Sequence, residues 1–337
     1  MQTIENQARI SRNGITIIEV LVCLGIIALL LGLLSPAVQR ARESARNVNC
    51  RNHLRQLGVA CESFVSVRRR YPRYLHLDSQ RTLSGHVGLL PYISETAIYE
   101  KVDGNEVGTA ASEPVASSSN EEIFATTIAV FRCPSDVSTP GANSYRACFG
   151  TTTGIHATWS PRIGQPLNNP ADHSLWGIFC GRHEPAHVTD GLSNTVAYSE
   201  RLIGDMDPRS YTPATDVALI SGHRLRFPDE ALLACSQVTQ RTSHFSMPGA
   251  TWLLGHRAHT AYNHVLTPNS EIPDCASATS GVRDLGAGSV GARSYHPGTV
   301  NACFGDSSVR VISETIDLTV WRALGSMHGQ ESVGTPF

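Results

Sequence analysis

The stretch RNGITIIEVLVCLGIIALLLGLLSPA, Arg12 to Ala37, decides how the rest of the chain is read. Ile15 to Ser35 form a 21-residue apolar segment whose notable ionisable side chain is Glu19. At about 1.5 Å per residue a helix of that length reaches roughly 30 Å, the thickness of a bilayer's hydrocarbon core. A secretory signal peptide carries a shorter apolar run of about 7–15 residues, although Ser35 to Ala37 pass as a cleavage site. A plain anchor accounts for the length but not for Glu19, because an acid at mid-bilayer costs up to about 3 kcal/mol.

GITIIE, Gly14 to Glu19, resembles the cleavage and methylation site of type IV prepilins and type II secretion pseudopilins. The resemblance implies that a membrane-embedded prepilin peptidase cuts after Gly14 and N-methylates Ile15. It also implies that Glu19 pairs with the free amino terminus of a neighbouring pilin-like subunit during assembly. A new ammonium at Ile15 lies about four helical rises, roughly 6 Å along the axis, from Glu19. Two such charges on adjacent subunits attract in low dielectric, whereas either alone is costly to bury. Pro36, 22 residues beyond the cut, stands where many pilins have a helix-kinking proline.

The expected location is the inner membrane, single-pass, with the C-terminal domain periplasmic or extracellular. Arginines are more numerous after the span than before it, so a bare positive-inside count points the other way. The processing motif overrides that count, since its peptidase works from the cytoplasmic side.

The chain has 337 residues and a formal net charge of −2. That balance argues against a nucleic-acid partner. Locally it is uneven: Arg40 to Arg73 hold nine arginines against Glu43 and Glu62. Of nine cysteines, Cys23 lies in the apolar segment and eight lie beyond it, with no CxxC pair. In an exported domain some of the eight are expected to be bridged, with no pairing assigned.

After Pro36, Val38, Ala41, Ala45, Val48, Leu54, Leu57, Val59, Cys61 and Phe64 recur at roughly helical intervals. One helix is expected from about Ile15 to Val67, its first half in lipid and its second half amphipathic. Pro72 ends it. A helical stretch at Ser84 to Lys101, interrupted at Pro91, precedes a surface loop at Asp103 to Asn120. From Thr126 onward short β-rich runs dominate: TTIAVFRC, NSYRACFG, LWGIFC, NTVAYSERL and VNACF with SVRVI. The organisation expected is a leader at 1–14, a transmembrane helix at 15–35, an amphipathic stem at 36–70 and a globular domain at 71–337. The fold class is α+β, a long N-terminal helix packed on an antiparallel sheet with large loops, as in pilins.

Four further stretches resemble the prepilin-like proteins of domain-of-unknown-function family 1559: NCRNHLRQLGVA (Asn49 to Ala60), FRCPSD (Phe131 to Asp136), VTDGLSNTVAYSE (Val188 to Glu200) and HPGTVNACFGDSSVRVI (His296 to Ile312). The last matches the family's H-x(9)-D-G signature with His296 and Asp306. Ser307 replaces its glycine, so Gly305 is expected to supply the turn's left-handed conformation. Val300 to Phe304 and Ser308 to Ile312 alternate around that turn as a hairpin.

No motif indicates a metal, a cofactor or an enzyme. HEPAH, His183 to His187, matches a zincin string, but Pro185 forbids the helix that the chemistry needs. His256, His259 and His264 read as scattered loop histidines. Asp190 and Asn194 offer hard oxygens for calcium, yet Asp190-Gly191 reads as a turn capped by Ser193 and Asn194. His296 and Asp306 lack a nucleophile for a catalytic dyad, and a hydrogen bond fixing the hairpin is expected of them instead. The function expected is that of a pseudopilin-like structural subunit or accessory component of a type IV pilus-like or type II secretion-like assembly. The alternative is a surface-anchored solute- or glycan-binding protein that uses the prepilin signal for export.

Overall fold

The computed structural model describes residues 17–74, 83–104, 120–137, 139–153, 175–181, 183–221, 225, 227–239, 242–278 and 285–329. Gly14 and Ile15 lie outside these, as does most of the loop expected at 103–120. By contacts the chain divides into a unit ending at Ala45 and a unit beginning at Arg46.

The N-terminal helix runs from Ile17 to Arg68, 52 residues, and continues through Pro36. Pro36 has no amide hydrogen, so the carbonyl of Gly32 loses its i−4 partner while the helix goes on. In the first unit the large apolar side chains from Ile17 to Leu34 are exposed. This helix is long and apolar enough to cross a membrane. In the second unit Cys50, Leu54, Leu57, Gly58, Ala60 and Cys61 form one buried stripe. Three- and four-residue spacing puts them on a single helix face. Fully burying a leucine such as Leu54 or Leu57 contributes about 1.5–3 kcal/mol.

Among the described residues nine strands follow: β1 Tyr145–Cys148, β2 Val196–Glu200, β3 Val217–Ile220, β4 His244–Phe245, β5 Ala261–Tyr262, β6 Cys275–Ala278, β7 Leu285–Ser289, β8 Thr299–Phe304 and β9 Val309–Ser313. They make a five-stranded sheet, order β5-β1-β2-β8-β9, and a four-stranded sheet, order β4-β3-β6-β7. The class is α+β, and each sheet is mixed: β1 pairs β5 in parallel, and β3 pairs β6 in parallel.

The strands β1, β2 and β8 of the larger sheet are buried on both faces, while the edge strand β9 is partly exposed. Along β8, Val300, Ala302 and Phe304 join Trp321 and Leu324 in one core, while Cys303 joins Leu54, Leu57, Tyr145 and Tyr198 in the other. Period-two alternation divides the strand between the cores. Gly58 allows the helix to approach the hairpin, since a Cβ there would meet Cys303 Sγ at 2.7 Å. The helix Leu318–Gly325 closes the second core. Asp317 caps it by accepting from the Thr319 and Val320 amides, at 2.8 and 3.1 Å.

Two of the expected strands are not strands. TTIAVFRC contains a short 3₁₀ turn, Ala129–Phe131, and LWGIFC contributes a single bridge, Gly150 to Trp176. Both runs are apolar because they are buried, and burial alone does not supply a strand partner. The β8–β9 hairpin forms as its alternation indicates, with Thr299 opposite Ser313 and Cys303 opposite Val309. The stretch around Pro91 divides into helices Gly85–Leu89 and Thr96–Tyr99 on either side of a 3₁₀ turn.

Candidate functional site

Four buried side chains converge at the end of β2: Cys50, Cys133, Glu200 and His296. Their ligand atoms all lie within 4.8 Å of one another. Cys50 comes from the buried stripe of the helix. Cys133 follows the 3₁₀ turn, whose Arg132 carbonyl meets His53 Nδ1 of the helix at 2.8 Å. The two cysteines form a disulfide with Cα atoms 4.9 Å apart. The loop after Cys133 is held by Asp136, which accepts from Ser144 Oγ at 2.8 Å and from the Ile203 amide at 3.2 Å.

Glu200 ends β2 opposite Tyr145. Both its oxygens are occupied by β8: Oε2 accepts from the Asn301 amide at 2.8 Å and Oε1 from Asn301 Nδ2 at 3.1 Å. His296 is placed by sequence chemistry. In His296-Pro297-Gly298-Thr299 the Thr299 amide donates to the His296 carbonyl at 3.3 Å, and Gly298 takes φ +69°. Proline then glycine at the two central positions is the type II turn pattern. His296 Nε2 consequently lies 3.2 Å from Glu200 Oε1 and 3.5 Å from Cys133 Sγ.

A second polar centre adjoins this one through the Arg293 amide, which donates to the Glu200 carbonyl at 3.0 Å. Asp274, fully buried, meets Arg201 Nη2 and Arg293 Nε, each at 3.0 Å, and accepts from the Gly291 amide at 2.8 Å. Burial pushes its carboxyl up, but Arg293, Arg201 and the Gly291 amide outweigh that and hold it below the usual carboxylate range.

The residues singled out from the sequence are distributed around this frame. His296 belongs to the cluster. Asp306 sits on the exposed hairpin turn and accepts from the Ser308 amide at 3.0 Å and Ser308 Oγ at 2.6 Å. His296 and Asp306 therefore serve different partners. The left-handed turn residue is Ser307, at φ +62°, and not Gly305. That corrects the expectation, because the D-G position keeps its conformation even when a serine occupies it. Ser307 Oγ is buried without a hydrogen-bond partner among the described residues. Ser307→Gly should therefore stabilise the protein by about 1 kcal/mol, removing left-handed strain. The thermal midpoint should rise by about 2–4 °C; a fall would show that the serine is not strained.

Asp190 Oδ2 accepts from the Gly329 amide at 2.7 Å, and Asn194 Nδ2 donates to the Asp190 carbonyl at 3.1 Å. Gly191 between them takes φ +92°. HEPAH forms a 3₁₀ turn, Pro185–His187, and His187 Nδ1 accepts from the Glu184 amide at 3.1 Å. Glu19 lies in the first turns of the N-terminal helix and Pro36 within it.

Of the eight cysteines beyond the span, Cys50–Cys133 and Cys235–Cys275 are bridged, while Cys61, Cys148, Cys180 and Cys303 are buried thiols. Burial pushes Cys61 and Cys148 up to about 12, which keeps them protonated and unreactive. Sequence reasoning missed Cys50, Cys133 and Glu200 as site residues, since no spacing rule connects positions so far apart. The available signal was that the four resembling stretches carry one of the clustered residues each.

These features define an α+β protein with a membrane-length N-terminal helix and a buried Cys-Cys-Glu-His cluster. A family model described as "Protein of unknown function (DUF1559)" matches residues 39–319, and the chain belongs to that family. It matches no curated protein and no solved structure at a significant level.

Proposed function

We propose that the protein is a membrane-anchored, pseudopilin-like structural subunit or accessory component of a type IV pilus-like or type II secretion-like envelope assembly. It is not an enzyme in this reading. The observation that carries it is Glu19 in the first turns of a helix whose following apolar side chains, through Leu34, are all exposed. A carboxylate at that end of an otherwise apolar rod is tolerable if assembly gives it a cation. Cleavage after Gly14 creates that cation at Ile15 of an adjoining subunit. The partners are then a prepilin peptidase, the inner membrane and other pilin-like subunits, with the C-terminal domain on the periplasmic or extracellular side.

Intact-mass measurement of the native protein tests the processing step. The expected mature chain begins at Ile15 and carries one added methyl group; a chain beginning at Met1 would refute the reading. Glu19→Ala should leave cleavage intact and lower the assembled fraction at least tenfold, since each 1.4 kcal/mol of lost pairing is a factor of ten. Unchanged recovery of the variant in assembled material would count equally against it.

The surface-binder alternative would draw on an apolar cavity of about 210 Å³ lined by Gly58, Cys61, Val65, Tyr71, Leu192 and Tyr198. That is below the roughly 300–1,000 Å³ of ordinary small-molecule sites, whereas a more open groove of about 450 Å³ lined by Asn52, Arg55, Gln56 and Tyr92 falls within it.

A further inference from the structure

The four family-like stretches, spread from Asn49 to Ile312, each send one side chain into the same buried cluster: Cys50, Cys133, Glu200 and His296. A disulfide by itself needs neither an acid nor an imidazole. Burying both beside it costs free energy that the His296–Glu200 contact and the two hydrogen bonds from Asn301 to Glu200 only partly offset. The second disulfide of the same chain shows the contrast, for Cys235 and Cys275 sit in an apolar cluster with Ala218, Ile220, Val238 and Ile272. The acid and the imidazole at Cys50–Cys133 therefore require a reason other than the covalent bridge.

We propose that, with Cys50 and Cys133 reduced, this cluster is a four-ligand site for a thiophilic divalent cation, best zinc, bound by Cys50 Sγ, Cys133 Sγ, Glu200 Oε1 and His296 Nε2. Two thiolates, an imidazole and a carboxylate match zinc's borderline softness and its four-coordinate preference. Tetrahedral zinc, with bonds of about 2.3 Å to sulfur and about 2.0–2.1 Å to nitrogen and oxygen, needs about 3.4 Å between N and O and about 3.5 Å between S and N. The structure already has 3.2 Å between His296 Nε2 and Glu200 Oε1, and 3.5 Å between His296 Nε2 and Cys133 Sγ. The two sulfurs have to part to about 3.8 Å, and the other ligand atoms all lie within 4.8 Å of one another.

The outer shell is present too. Asn301 holds both Glu200 oxygens, as the second shell of a metal site orients its first. All four ligands stand on or beside regular elements: the helix, the end of β2, and the turns before β1 and β8. A cavity of about 10 Å³ lined by Cys133, Glu200, Arg201 and Arg293 adjoins the cluster. It offers room for about one water.

Disulfide and metal site are alternative states of the same residues. In loading, two thiols release two protons to solvent as two metal–sulfur bonds form. Oxidation of the loaded site by a disulfide-containing oxidant forms the Cys50–Cys133 bond and expels the cation. The oxidant accepts two electrons from the thiolates and two protons from solvent, leaving as two thiols.

The test uses the full chain in detergent micelles, reduced with a phosphine under anaerobic conditions, freed of reductant and titrated with Co²⁺ as an optical probe. One equivalent should produce thiolate-to-metal charge-transfer absorption and tetrahedral d–d bands, both removed stoichiometrically by Zn²⁺. The oxidised chain should give neither. Asn301→Ala should weaken binding about 10–100-fold, and His296→Ala should remove the tetrahedral bands. Cys50→Ser with Cys133→Ser should abolish the charge transfer. Absence of these bands in the reduced chain overturns the proposal, as does a spectrum that survives the double cysteine substitution. Circular dichroism covers loss of structure on reduction: the chain should either stay folded or refold on adding zinc, and failure to refold also overturns it. None of these outcomes depends on whether the protein assembles as a pseudopilin.

Discussion

Lowering the pH from 7.5 to 5.5 should strip about 4 kcal/mol from the stability of the unit beginning at Arg46, with three buried histidines responsible. His86 lies among the rings of Tyr74 and Phe131, with Nε2 at 3.1 Å from the Tyr145 carbonyl. His264 stacks on Trp321 at 3.6 Å, its Nδ1 2.6 Å from the Trp321 carbonyl and its Nε2 2.9 Å from the Tyr262 hydroxyl. Among the described residues His259 has a hydrogen-bond partner at neither ring nitrogen. Burial, opposed only by the carbonyl contact, lowers His264 to about 3; burial and Arg146 lower His86 to about 3. Burial also holds His259 well below its ordinary value, with His256 and Arg146 adding to the effect.

Unfolded, each histidine titrates near 6.5, so below that pH the unfolded chain binds protons that the folded one refuses. Stability is then complete above about 6.5 and falls by about 1.4 kcal/mol per pH unit for each group, about 4 for the three. The loss continues toward pH 3, where folded His86 and His264 take up protons. Typical domains have about 5–15 kcal/mol in total, so the unit should approach its unfolding limit near pH 5. Urea midpoints between pH 7.5 and 5 would measure the slope, and His86→Phe should reduce it by about a third. A midpoint that does not move over this range would refute the account.

Asp274→Ala should cost about 3–5 kcal/mol for breaking a buried ion pair. The substitution leaves Arg201 and Arg293 buried without the carboxylate that each meets at 3.0 Å. Their remaining bonds go to neutral carbonyls: Arg201 donates to Leu202 and Thr215, and Arg293 to Ser270 and Ile272. These satisfy hydrogen-bond geometry but supply no counter-charge. The consequence reaches the cluster, because the Arg293 amide donates to the Glu200 carbonyl. Thermal unfolding of the full chain would register the loss. Replacing all three residues together, Asp274→Leu, Arg201→Met and Arg293→Met, should recover most of it, since an apolar core of similar volume carries no orphaned charge. If Asp274→Ala unfolds at the wild-type midpoint, the triad is not the buried anchor that its geometry indicates.

Much of the architecture is visible in local sequence. The helix Ile17–Arg68, the division around Pro91 and the β8–β9 hairpin follow from apolar spacing, proline and alternation within a few residues. The HPGT turn that presents His296 is equally local. The expectations for TTIAVFRC and LWGIFC failed for the converse reason: a buried apolar run does not say whether a neighbouring strand is free to pair with it. The parallel pairings of β1 with β5 and β3 with β6 depend on where intervening loops bring the chain. Ser307 shows tertiary context overriding a residue's own preference, because the hairpin register demands a left-handed turn whatever side chain is there.

By itself the sequence determined a membrane-length helix beginning with a carboxylate-bearing first turn, an α+β globular part and the four stretches that connect it to its family. Hydrophobic period and turn chemistry act between neighbours, and neighbours are what a sequence lists. Only the tertiary structure decided that Cys50, Cys133, Glu200 and His296 share one buried point, and that Asp274 lies between two arginines. Those contacts join residues remote along the chain, whose meeting is set by packing the helix and both sheets at once.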